Sequence, residues 1–110
     1  MKDTNLGAFE ELVLLAVGSL NENAYGVAIK DALEAQSGRS PSIGALHSAL
    51  YRLEDKGYLK SSEGGATAER GGRRKKYYVL SGTGREALIR AHDLRMAFSQ
   101  KIPGLNLKTD

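Results

Sequence analysis

The chain of 110 residues contains no cysteine and no tryptophan, and only two prolines and two histidines. Without cysteine there can be neither a disulfide nor a thiol nucleophile, and the expected location is a reducing cytoplasm. No apolar run approaches the roughly 20 residues that a membrane-spanning helix needs. The apolar opening, LGAFEELVLLAVGSL, is entered through Glu10 and Glu11. A signal peptide would have a basic n-region there, so none is expected. The glycine-rich stretch around residues 64–72 is not followed by the Lys-Ser/Thr that ends a nucleotide-binding P-loop. No nucleophile-elbow motif surrounds any serine. His47 and His92 fall in different segments with no cysteine partner, which argues against a metal site. The expectation is a protein that is not an enzyme, holds no metal or cofactor, and forms a single domain.

What the chain does have is a concentrated basic segment. Net charge is +3, from 16 Lys and Arg against 13 Asp and Glu. From Lys60 to Lys76 there are six cations (Lys60, Arg70, Arg73, Arg74, Lys75, Lys76) and two anions (Glu63, Glu69), a local charge of +4. The rest of the chain therefore sums to −1. Such a patch is the electrostatic footprint expected for a polyanion partner.

Periodicity places this patch in a fold. Phe9, Leu12, Val13, Ala16 and Leu20 recur at helical spacing, and Leu14, Leu15 and Val17 make this first helix apolar almost all round. Such a helix needs cover on more than one side. A second helix follows NENAYG, with Val27, Ala28, Ile29, Ala32 and Leu33 as its expected buried residues, and stops near Gly38. Ser42 is placed to cap a third helix. Its residues Ile43, Leu46, Leu50 and Leu53 share one face, and Lys56-Gly57 closes it. Its opposite face carries Gly44, Ser48, Tyr51, Arg52 and Asp55, with Ala45 and His47 at the flanks. YLKSSE and KKYYVL then read as two strands joined by a polar loop. Alternation sends Tyr77 and Tyr78 to opposite faces and does not say which points inward. A last helix begins at SGTGREAL. Thr83 and Glu86 have capping-box spacing, with Ser81 as a rival cap, and Pro103-Gly104 ends the helix. Ala87, Ala91, Leu94, Phe98 and Ile102 form its apolar stripe.

The order helix, helix, helix, strand, strand, helix predicts a mainly helical α+β fold, a winged helix-turn-helix. Residues 1–80 make the DNA-binding region, 81–103 a C-terminal dimerisation helix and 104–110 a tail. The third helix would enter a major groove, and the hairpin would meet the flanking backbone or minor groove. The expected DNA-facing residues are Ser42, Ala45, His47, Ser48 and Arg52 on the helix, with Arg70, Arg73, Arg74, Lys75 and Lys76 on the wing. The wing pairs Arg73 with Lys75 on one face and Arg74 with Lys76 on the other, and the sequence leaves open which face meets DNA. The surplus apolar surface of the first and last helices predicts a two-fold homodimer. Leu6, Phe9, Val13, Leu88, Ala91, Leu94 and Phe98 are its expected interface. The rival reading is a winged helix that binds protein, its basic wing merely solvated.

From Leu6 to about Phe98 the chain resembles the PadR-type winged-helix transcriptional regulators. The matching stretches are the apolar opening, YGVAIKDALE, SIGALHSALYRLEDKGYL and GGRRKKYYVLSGTGREAL, in that order and spacing. The length resembles the short branch of the family, with a single C-terminal helix. The resemblance implies double-stranded DNA binding at an operator, usually for repression, by a homodimer whose first and last helices pack across the two-fold. It implies a phosphate contact for Tyr25, and it leaves room for a small-molecule effector of unknown identity. Two features differ. The family's Tyr-Pro pair is replaced by His47-Ser48, and the tryptophans between which some short members hold flat aromatic drugs are absent.

Overall fold

The computed structural model describes residues 5–64 and 75–105. Arg70, Arg73 and Arg74 of the wing, and residues 106–110 of the expected tail, lie outside the described residues. The elements are α1 (Ala8–Leu20), one 3₁₀ turn (Asn21–Asn23), α2 (Gly26–Ser37), α3 (Ile43–Asp55), β1 (Leu59–Gly64), β2 (Lys75–Leu80) and α4 (Gly82–Ser99).

α1 is the centre of the packing and touches α2, α3, β2 and α4. Val13, Leu14 and Val17 are fully buried against Ile29 of α2 and Leu46, Leu50 and Leu53 of α3. The buried positions of α3 are Leu46, Ala49, Leu50 and Leu53. Ile43, expected in that row, stands in the first turn beyond the edge of the core and is half exposed. In α2 the core takes Ile29 and Leu33, one helical step apart. Val27 precedes Ile29 by two residues, roughly 200° round the helix, and is therefore exposed rather than buried.

The ends of the helices follow local chemistry. The Ser42 hydroxyl accepts the Ala45 amide at 3.1 Å and starts α3 as expected. At its other end Gly57 takes a left-handed φ of 83°. The Gly57 amide bonds to the Glu54 carbonyl at 3.0 Å and the Tyr58 amide to that of Leu53 at 2.9 Å, the two bonds of a Schellman turn. α4 is capped by Ser81, which accepts the Gly84 amide at 2.9 Å. The Thr83–Glu86 box does not form, because Thr83 is already inside the helix. α4 also ends at Ser99, before Pro103.

β1 and β2 pair antiparallel from Leu59↔Leu80 to Gly64↔Lys75. The open question of the tyrosines is resolved: Tyr78 is buried in the core and Tyr77 is half-buried on the other face. β2 is also tied to the turn before α2, where the Tyr78 amide donates to the Ala24 carbonyl at 2.8 Å. The wing base is thus bonded directly to the start of the second helix.

Candidate nucleic-acid interface

The exposed side of α3 is continuous. Gly44, Ala45, His47, Ser48, Tyr51, Arg52 and Asp55 are all exposed, opposite the buried Leu46–Leu53 row. Ser42 is exposed at its head. All five residues expected to read DNA from this helix therefore share one surface. Tyr51 stands among them at 73% exposure. It was legible as a member of this face but not singled out as a site residue.

Tyr25 and Lys75 come together beside the start of α2. The Lys75 ammonium lies 4.2 Å from the centroid of the Tyr25 ring. Tyr77 meets the same ring edge-on at 5.6 Å. A cation over an aromatic face is held electrostatically while its outer side stays open to solvent or an anion. Tyr25 is the N-cap of α2 and supplies no side-chain cap, so the first amides of that helix have no side-chain acceptor from it.

Lys76 is placed differently. Its Nζ lies 3.5 Å from Oε1 of Glu54, on α3, and 5.6 Å from the Tyr78 ring. Ser61 of β1 donates to the same carboxylate at 2.5 Å. The two cations of β2 thus lie on opposite faces of the strand, one beside Tyr25 and one spent on α3.

The residue that sequence reasoning missed is Glu10. Its place before an apolar run argued only against a signal peptide, yet it is buried, with 6% of its surface exposed. It accepts the Gly7 amide at 3.0 Å, Lys56 Nζ at 2.8 Å and Arg52 Nε at 2.7 Å. Lys56 also donates to the Asn5 carbonyl. One carboxylate therefore joins the entry to α1 with the last turn of α3. A cleft of about 640 Å³ opens beside it, walled by Phe9, Tyr51 and Arg52. The only available signal was a charged residue inside an apolar helix, which demands a partner without naming one.

Burial alone would raise the Glu10 pKa. The hydrogen bonds from Lys56, Arg52 and Gly7, with the charge of Lys56, outweigh it and lower the pKa from 4.5 to about 2. A depressed carboxyl pKa stabilises the fold above its unfolded value and loses that stability as pH falls through the folded value. Glu10 should therefore contribute about 3 kcal/mol at neutral pH, lost between pH 4.5 and about 2. Denaturant titrations of wild type and Glu10→Gln at pH 7, 4 and 3 check this. The difference between them should shrink with acid; a difference independent of pH would contradict the assignment.

The expected dimer residues divide. Leu94 and Phe98 are 60% and 65% exposed. Leu6, Phe9, Leu88 and Ala91 are half-buried. Val13 is fully buried inside the fold and has no surface to offer a partner, so it cannot serve in a dimer interface. On α1 the outward side chains are Leu12 and Leu15 instead, at 47% and 48% exposure. They line an apolar depression with Ala32 and Leu33 of α2. Arg95 of α4 pairs with Glu11 of α1 at 2.7 Å and links the two helices within the chain. Among the described residues, no group of three or more potential metal ligands occurs, and no helix is long and apolar enough to cross a membrane.

Three helices followed by a two-stranded antiparallel wing and a fourth helix define a winged-helix protein. The model of the PadR-like transcriptional regulator family matches residues 14–90, and the chain belongs to that family. It is a transcriptional regulator, not an enzyme. A PadR-like transcription factor from Bacteroides fragilis has a similar structure, with a TM-score of 0.74, 21% identity and 89% of each chain covered. RosR of H. salinarum aligns with a TM-score of 0.70 and 26% identity, over 89% of this chain and 81% of that one. A transcriptional regulator from Clostridium thermocellum aligns with a TM-score of 0.67 and 22% identity, over 83% and 85%. No curated protein matches the chain.

Proposed function

We infer that the protein is a cytoplasmic homodimeric repressor that binds a palindromic operator, with α3 in the major groove and the wing on the flanking backbone. The observation that carries this reading is the continuous exposed face of α3 together with the Lys75–Tyr25 pair at the start of α2. The centre of that face is small and polar at Gly44 and Ser48, so the helix can approach base edges closely. Ser48 and Arg52 have the chemistry for base or phosphate contacts. A cation above the positive end of α2 is unfavourable alone, and a phosphate there would satisfy both. Exposed Leu94, Phe98, Leu12 and Leu15 support a partner subunit. Repression follows if the dimer occupies a promoter. An effector would act by favouring one dimer geometry.

Selection of bound duplexes from a random DNA pool tests the reading. A palindromic consensus is expected. Equal recovery of all sequences would favour the protein-binding alternative.

The wing carries its own prediction. Lys75→Ala should weaken specific and non-specific DNA alike and flatten the log–log salt slope by about 0.9 per subunit. Lys76→Ala, whose ammonium is already held by Glu54, should change the slope much less. Anisotropy titrations across a salt series decide it; equal slopes for both variants and wild type would make the wing base a solvated turn.

A further inference from the structure

We propose that Glu10 is a positioning residue for DNA recognition: it holds the Arg52 guanidinium by Nε so that the Nη groups are presented to a phosphate or guanine edge. The proposal rests on the reading of α3 as the DNA-facing helix.

The geometry is specific. Arg52 sits on the exposed face of α3 with 51% of its side chain accessible, whereas the Glu10 side chain is 7% accessible. The contact is made by Nε alone, at 2.7 Å to Oε2. Among the described residues, the Nη groups make no hydrogen bond. An arginine carries five donors in a rigid planar fork, so fixing Nε fixes the plane in which the Nη donors lie. The carboxylate is itself immobile. Its other oxygen accepts Lys56 and the Gly7 amide, and Lys56 is as buried as Glu10, with 9% of its side chain accessible. A long exposed side chain normally loses rotamer entropy when it binds. Here much of that loss is incurred on folding, which leaves less to lose at the DNA. A buried anion beside a DNA-binding face would otherwise only oppose a polyanion. Lys56 neutralises Glu10 from the inner side, so the Arg52 charge remains available outward.

Charge alone and positioning make opposite predictions. Glu10→Gln removes a negative charge next to the binding face. If Glu10 merely filled the core, this variant would bind duplex DNA as tightly as wild type or more tightly. If it positions Arg52, affinity falls although the protein has become more positive. The probe is a fluorescent random-sequence duplex of about two helical turns, titrated across a potassium chloride series. The proteins are full-length wild type, Glu10→Gln, Arg52→Ala, Arg52→Lys and the Glu10→Gln/Arg52→Ala double variant. The expected result is a loss of about three- to tenfold for Arg52→Ala and a comparable loss for Glu10→Gln. The double variant should be no worse than Arg52→Ala, because the two residues act through one contact. Arg52→Lys keeps the charge but has a single ammonium. It lacks the rigid planar fork, so an ammonium drawn to Glu10 presents no Nη donors in a fixed plane, and it should bind like Arg52→Ala. That variant changes an exposed side chain and keeps the test decisive should Glu10→Gln fold poorly. Arg52→Lys binding like wild type would overturn the proposal, as would Glu10→Gln binding at least as tightly as wild type. Arg52→Ala binding like wild type would remove Arg52 from the DNA-facing set, and the proposal with it, while the rest of α3 stands. No binding of duplex DNA by wild type would instead overturn the operator-binding reading itself.

Discussion

Leu94→Glu is expected to turn the protein into a folded monomer and to weaken operator binding by about 100-fold or more. Leu94 is 60% exposed in the folded chain, so the fold does not need it. Phe98 follows it one helical step on and Ile102 lies just past the end of α4; they are 65% and 51% exposed. A charge in the middle of this stripe would be buried without a partner on assembly. A dimer on a palindrome binds its second half-site intramolecularly, and that gain is lost when the subunits separate. Sedimentation velocity at micromolar concentration reads the first effect and operator titration the second, with far-UV circular dichroism as the folding control. Intact dimers in this variant would move the interface away from α4. Val13→Glu should behave in the opposite way and unfold the chain, because Val13 is fully enclosed within the fold.

Gly84→Ala is expected to destabilise the protein by about 3 kcal/mol and to lower its melting temperature by about 10–20 °C. Helix propensity alone predicts the reverse, since alanine is favoured over glycine in a helix by about 1 kcal/mol. The structure reverses the sign. A Cβ at Gly84 would stand 2.2 Å from the Tyr58 carbonyl oxygen and 3.0 Å from its carbon. That carbonyl is backbone, and it already accepts the Ser81 amide at 3.1 Å. Ser81 in turn donates its hydroxyl to the Gly57 carbonyl at 2.6 Å while capping Gly84. Relief of the clash must move the start of α4 away from the turn that ends α3. Thermal and denaturant melts of the two proteins decide between the signs. An unchanged or more stable Gly84→Ala would show that α4 is free to shift. A weaker dimer in a variant that still folds would show that α4 is held in register by this contact.

The sequence by itself determined the elements and their order, because those follow from short-range physics. The period of Leu46, Leu50 and Leu53, the Ser42 cap and the Lys56-Gly57 stop mark α3 without any knowledge of its neighbours. β-branched and aromatic residues in KKYYVL mark β2 in the same way. The exposed face of α3 was legible too, since it is whatever lies opposite the apolar row. Where the reading failed, the deciding contact came from another part of the chain. Val13 and Leu12 are both apolar and adjacent, and only the positions of α2 and α3 decide that the first is enclosed and the second faces out. Ile43 shares the apolar row of α3 but extends past the end of the core. Ser81 rather than Thr83 caps α4 because the helix begins before Thr83, with the Ser81 hydroxyl also bonded to Gly57.

Tertiary structure alone decided what each cation of β2 meets. Alternation separates Lys75 from Lys76, but the separation acquires meaning only when Tyr25 is found under one and Glu54 beside the other. It also decided the role of Glu10. Arg52 lies 42 residues away from it in the chain. No local pattern couples positions that far apart; a buried carboxylate can only require cations, and the fold selects which cations reach it.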